Sequence, residues 1–144
     1  LHSFPTRRSS DLFYEYLLLL NEEGHINFDF KPLEKIISYH IPCHLRGRGV
    51  PYPAVKIFKE IPDINVYIQD KNCCGFSGSY GFKEKNKDTT DALGRIAVES
   101  LDEHSPDIII SDCGACRMQI SNFTKTKIID PIQIMYDALG LSDS

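Results

Sequence analysis

Five cysteines carry the chemistry this chain can do, and they fall in three blocks: Cys43, the adjacent pair Cys73-Cys74, and Cys113-Gly114-Ala115-Cys116. Twenty-nine residues separate the first block from the second and thirty-eight separate the second from the third. Adjacent thiols rarely bridge each other, because a disulfide needs a wider Cα separation than most neighbouring residues offer. They can instead point at two atoms of one metal cluster. Gly75, Gly78 and Gly81 follow the pair at a spacing of three. Glycines there let the backbone come close to a bulky inorganic group with amides aimed at its sulfurs, which makes Gly75 and Gly78 candidate cofactor-binding residues. The plainer reading of the stretch is a buried cysteine pair beside a glycine turn. Five is an odd count with two members adjacent, which suits metal or redox work in a reducing compartment better than a disulfide framework.

Iron–sulfur clusters are held by cysteine thiolates, commonly four, and hydrogen bonds to the sulfurs tune their potential. Cys113 and Cys116 at a helix start lie one turn apart near the positive end of the helix dipole, which lowers a thiol pKa. Arg46, Lys83 and Arg117 lie near cysteines and can offset the charge of an anionic cluster, although each taken singly reads as a solvated surface cation. Three rival readings stand beside the cluster. Zinc needs four ligands, which cysteines with His40 or His44 can supply, although a vicinal pair suits tetrahedral zinc less well. A thioredoxin-like dithiol would use Cys113 and Cys116 and leave Cys43, Cys73 and Cys74 without a task. Five structural cysteines would have to explain why all of them lie together.

The elements that position these residues alternate between strand and helix. Phe13–Glu23 reads as a helix stopped by Gly24, and Ile26–Phe30 as a short extended piece. Lys35–Ile41 is a β-rich run halted by Pro42, and Pro53–Ile61 has helical spacing. Asn65–Asp70 is a second strand. A helix follows from Thr89 or Thr90, with Ala92, Leu93, Ile96, Ala97 and Leu101 as its expected buried face. Asp107–Ser111 is a third strand, apolar enough to be buried on both faces, and Lys127–Asp130 is a fourth, followed by a closing helix over Ile132–Leu139. This alternation predicts an α/β fold: a small parallel sheet of about four strands flanked by helices. Ligands of such sheets collect outside the carboxyl ends of the strands. Cys43 follows the first strand, Cys73 and Cys74 the second, Cys113 and Cys116 the third, so all five belong to one sheet edge. The Cys73–Lys83 loop is expected in the middle of the three.

Composition narrows the function classes. The chain has 144 residues, 42% hydrophobic and 25% charged, with a net charge of −4, so it has no basic footprint for nucleic acid. No apolar run approaches a membrane span, and Leu17–Leu20 is the longest clean one. Residues 1–12 fit nothing downstream. Their His2–Leu12 stretch resembles the conceptual translation of a common sequencing adapter, so the segment is expected to be non-native and the remainder a fragment. Residues 13–34 then form a helix and linker, and residues 35–144 a cysteine-rich domain.

Tyr39-His40-Ile41-Pro42-Cys43-His44-Leu45-Arg46, the run from Cys73 through Lys83, and Ser111–Ile120 together resemble the cysteine-rich CCG domain family. That family includes the B subunit of heterodisulfide reductase, the C subunit of anaerobic glycerol-3-phosphate dehydrogenase, and iron–sulfur subunits of lactate and glycolate oxidases. The resemblance covers about Tyr39 to Leu139. It implies that Cys43, Cys73, Cys74, Cys113 and Cys116 ligate a [4Fe-4S] cluster, cubane or noncubane, with five thiolates sharing the noncubane kind. It further implies the second of two tandem cysteine-rich domains, preceded in the family by a ferredoxin-like module. The partner implied is a flavoprotein dehydrogenase subunit or fused flavin domain, with quinone as eventual acceptor. The place implied is cytoplasmic, peripheral at the inner face of the membrane. The chain departs from the family in its gap lengths and in Asp130-Pro131, where members often have His-Pro, and keeps every cysteine. The expected function is electron transfer from glycerol 3-phosphate or 2-hydroxy-acid oxidation toward quinone. The alternatives are a disulfide-cleaving catalytic cluster and a structural zinc domain.

Overall fold

A computed structural model describes residues 9–48 and 52–142. The expected foreign segment therefore lies outside the described residues as far as residue 8. Four parallel strands form one sheet: β1 (Lys35–His40), β2 (Ile64–Gln69), β3 (Ile108–Ile110) and β4 (Lys127–Ile129), in the order β2-β1-β3-β4. Helices α1 (Ser9–Glu22), α2 (Cys43–Arg46), α3 (Pro53–Phe58), α4 (Lys87–Asp102), α5 (Gly114–Ser121) and α6 (Pro131–Ala138) connect and cover them. The α/β class is as the sequence predicts.

The two faces of the sheet follow the period of two along each strand. Ile37, Tyr39 and Ile110 point into a core shared with Ile57 and Phe58 of α3 and Ile134 and Met135 of α6. Ile109 points the other way, into a core with Val98 and Leu101 of α4 and Ile120 of α5, and on that face the Ser38 hydroxyl donates to the Leu101 carbonyl at 2.6 Å. Cys74 and Cys116 belong to this second core. Connections from β1 to β2 run one way and those to β3 and β4 the other, so the order reverses between β1 and β3. That switch point is where a doubly wound sheet opens a crevice at its carboxyl ends.

Several expectations need correction. The third strand is only Ile108–Ile110, with Ile108 half-buried and the other two fully buried. The long helix begins at Lys87 rather than Thr89 or Thr90, and its buried face is Thr90, Gly94, Ala97, Val98 and Leu101. Ala92, Leu93 and Ile96 are exposed. Small residues hold the contact line because neighbours come close: a Cβ on Gly94 would stand 2.6 Å from the Phe123 ring. Strand order also puts β1, not β2, in the middle of the three cysteine-bearing strands.

Candidate metal centre

Three loops at the carboxyl edge carry the cysteines. After β1, Ile41 and Pro42 turn the chain and Cys43 opens the single turn of α2, where it is exposed. After β2 come Cys73 and Cys74, and then a tight loop with positive φ at Gly75 (+85°), Ser77 (+48°) and Gly78 (+60°). Positive φ at Ser77 is uncommon for a residue with a side chain and marks a loop held by its surroundings. After β3, Cys113 precedes the first turn of α5 and Cys116 lies within it.

All five cysteines line one cavity of about 320 Å³, together with Phe76, Ser77, Gly78 and Ala115. Cys43 Sγ stands 3.6 Å from Cys73 Sγ, and Cys74 Sγ 3.2 Å from Cys116 Sγ. The vicinal pair thus touches a first-block cysteine with one thiol and a third-block cysteine with the other. The loop after β2 reaches across its neighbour, so at the level of sulfur the expected middle position holds although the strand order differs.

Hydrogen bonding to Cys116, opposed by burial and helped by the His40 imidazole, draws the Cys74 thiol down to about 4. Hydrogen bonding to Cys116 also draws Cys113 down to about 5, with the amides of Ala115 and Cys116 adding to it. The proton that these two release in preference stays on Cys116, whose pKa is driven far up by Cys113 and Cys74. Burial pushes Cys73 up against the Gly75 amide, which donates to its Sγ at 3.3 Å. Two thiolates therefore stand ready in the metal-free site, whereas Cys73 and Cys116 hold their protons more tightly until a metal competes for them.

Of the three expected cations, Arg46 is the one at the site. It donates to Cys43 Sγ at 3.1 Å and to the Asp70 carbonyl at 2.9 Å, tying the first cysteine loop to the second. Arg117 instead binds the Ser111 carbonyl at 2.6 Å and Asp130 at 2.8 Å, and Lys83 is exposed. Gly78 lines the cavity. Gly75 is held by its neighbour helix, since a Cβ there would meet the Thr90 carbonyl at 2.6 Å and Leu93 at 2.8 Å.

His40 belongs to this site more closely than its sequence position suggests. It is fully buried, and its ring, Cys74 Sγ and Cys116 Sγ all lie within 4.8 Å of one another. The ring is near enough to be felt by Cys74, yet neither nitrogen reaches hydrogen-bond geometry with a described atom. A histidine closing a β-rich strand, three positions before a cysteine, is the signal.

An iron–sulfur cluster fits this donor set. Soft thiolates select zinc, copper(I) or iron–sulfur clusters. Five thiols on one cavity are one more than tetrahedral zinc takes, which suits a polynuclear group.

Fold and site together define a parallel α/β domain with a five-cysteine pocket at its carboxyl edge. The chain belongs to the CCG cysteine-rich domain family, whose match covers residues 37–121 and takes in all five cysteines. It is 33% identical over 110 residues to the C subunit of anaerobic glycerol-3-phosphate dehydrogenase of Escherichia coli, covering 76% of this chain and 28% of that one. It is 34% identical over 125 residues to the D subunit of dihydromethanophenazine:CoB–CoM heterodisulfide reductase of Methanosarcina barkeri, covering 79% and 30% respectively. An uncharacterized iron–sulfur protein of Methanocaldococcus jannaschii is 30% identical over 108 residues, covering 74% of this chain and 21% of its own length. The chain thus spans less than a third of each of these relatives. No solved structure matches it significantly. Among the described residues no helix is long and apolar enough to cross a membrane.

Proposed function

We propose that this chain is the iron–sulfur electron-transfer domain of a flavin-linked respiratory dehydrogenase. In this reading Cys43, Cys73, Cys74, Cys113 and Cys116 hold a [4Fe-4S] cluster. The observation that carries it is the convergence of five thiols from three strand ends on one cavity, one thiol more than a tetrahedral zinc site uses. When bound, the cluster supplies one-electron chemistry. The protein fixes its position, its ligand charge and its exposure. Cys43, Ser77 and Gly78 are exposed at the cavity, so the centre lies near the surface, where a partner's redox group can approach. That partner is a flavoprotein subunit or fused flavin domain oxidising glycerol 3-phosphate or a 2-hydroxy acid. Electrons leave toward quinone, with the domain peripheral at the cytoplasmic face of the membrane. The names of two relatives, one a component of a glycerol-3-phosphate dehydrogenase and the other of a heterodisulfide reductase, support a redox component of this kind.

Mononuclear zinc on His40, Cys74 and Cys116 is the competing reading, favoured by their mutual 4.8 Å spacing. Anaerobic reconstitution with ferrous iron and sulfide, followed by iron, zinc and acid-labile sulfide analysis, separates the two. Iron and sulfide in comparable amounts are expected, and zinc without sulfide overturns the cluster reading. Cys74→Ser is expected to change the visible and EPR spectra; unchanged spectra would mean that Cys74 is not a ligand. The isolated domain is expected not to turn over disulfides, and thiol-dependent disulfide reduction would make it a catalyst instead.

A further inference from the structure

Directly beneath the cysteines the sheet register lines up three buried polar side chains. Gln69, the last residue of β2, is paired in register with His40, the last residue of β1. Ser111 follows β3 one step past the Tyr39–Ile110 pair, which sets it beside His40 on the other flank. In-register neighbours on parallel strands share a face. Counting by two along β1 puts this row on the Ser38 face, the one that packs against α4 and holds Cys74 and Cys116. His40 and Ser111 are 0% exposed and Gln69 7%. Among the described residues, both His40 nitrogens, both polar atoms of the Gln69 amide and the Ser111 hydroxyl have no hydrogen-bond partner.

Native interiors pair nearly all such groups, because an unpaired buried donor or acceptor costs its full desolvation. Apolar residues of similar volume would pack the same space without that cost. Three polar residues in adjacent register positions under a thiol-lined cavity therefore point to something the thiols bind. His40 does not itself line the cavity. It stands behind the Cys74 and Cys116 sulfurs, within 4.8 Å of both.

We propose that His40 is a positioning residue of the metal centre, an N–H donor to the Cys74 and Cys116 thiolates. Gln69 and Ser111 orient its ring. This rests on the cluster reading above. A neutral imidazole donates from one nitrogen and accepts at the other. The flanking Ser111 hydroxyl and Gln69 amide each have an N–H or O–H to give the accepting nitrogen, which then leaves the ring N–H for sulfur. Donation to a ligand thiolate withdraws charge from the cluster, so it favours the reduced form and raises the potential. It also locks the thiolate rotamers, as hydrogen bonds to ligands do at other metal sites.

The test uses the reconstituted chain in five forms: wild type, His40→Leu, which keeps most of the volume and no donor, His40→Asn and His40→Gln, which each keep an N–H donor on a side-chain amide, and His44→Leu. Iron and sulfide content, midpoint potential and the nitrogen hyperfine coupling of ¹⁵N-histidine-labelled protein are measured. His40→Leu is expected to take up iron and sulfide, titrate at a lower potential, and lose iron to a chelator about tenfold or more faster. One of the two amide variants is expected to restore the potential, and the wild type to show the weak coupling of a hydrogen-bonded imidazole. A wild-type potential in His40→Leu overturns the proposal, and so does the strong coupling of a directly ligated nitrogen that persists in His44→Leu, since His44 also lines the cavity and such persistence would make His40 a ligand. Should His40→Leu fail to fold by circular dichroism, the wild-type coupling and the amide variants decide. A wild type that takes up no sulfide is a different failure: it removes the cluster reading itself.

Discussion

Gly75 and Gly78 lie in one loop, both at positive φ, yet they answer to different constraints. Gly75 combines φ +85° with helix α4 pressed against it, whereas nothing lies within 4 Å of a Cβ placed on Gly78. Gly75→Ala is therefore expected to cost about 2–4 kcal/mol, left-handed strain plus overpacking, and Gly78→Ala about 1 kcal/mol. Urea midpoints of the metal-free variants check this, and equal losses would contradict it. The thiols differ in the same residue-specific way. Cys113, lowered to about 5, is already a thiolate at pH 6, while Cys73 is raised above the ordinary thiol value. Only the thiolate alkylates. In the metal-free protein the alkylation rate of Cys113 is expected to stay flat from pH 6 to pH 9, and that of Cys73 to climb steadily across the same range. Peptide mass spectrometry after short iodoacetamide pulses reads both.

At the scale of elements, helix α4 shows what sequence pattern conveys and what it does not. Its existence is legible in the long run between two strands, and Ala97 and Leu101 are rightly placed inside. Leu93 and Ile96 have the apolar character of core residues but are exposed, 38% and 49%, while Thr90 and Gly94 take the contact line. Hydrophobic periodicity marks apolar side chains. It is blind to close approach, which here demands small residues where Gly75 and Phe123 meet the helix. Leu101→Ala, at a fully buried position, is expected to destabilise by about 2–5 kcal/mol, and Ile96→Ala by less than about 0.5 kcal/mol. Thermal or urea unfolding discriminates the two, and a large loss at Ile96 would restore the face read from periodicity. The strand ends are more legible, because Pro42 and Pro131 punctuate the first and the fourth, and cysteines follow the first three within a few residues. Pairing order is not. Neighbour relations between parallel strands depend on crossovers that leave no local mark, so the central position of β1, and with it the burial of His40 between Gln69 and Ser111, emerges only in three dimensions.

For the whole molecule, the two cores divide the labour. The core under α1, α3 and α6 contains none of the cysteines, whereas the core under α4 and α5 includes Cys74 and Cys116. The loop after β4 offers no cysteine and uses Asp130 as the cap of α6, accepting from Ile132 N at 3.1 Å, and as the partner of Arg117 at 2.8 Å. A group held by the five thiols would therefore bind three loops to one another on one edge and leave the opposite layer as it is. Ligands that bind only the native state stabilise it in proportion to their affinity, and local opening is suppressed where the contacts form. Loading the reconstituted chain with iron and sulfide is expected to slow amide exchange in residues 41–48, 72–80 and 111–117, by about tenfold or more, each factor of ten being about 1.4 kcal/mol of added protection. Exchange in α1 and in the Pro131–Ala138 helix is expected to change little below the global unfolding limit. Uniform protection across both layers would mean that the metal-free chain does not hold this fold, and protection confined to residues 72–80 would mean that the vicinal pair binds without the other loops.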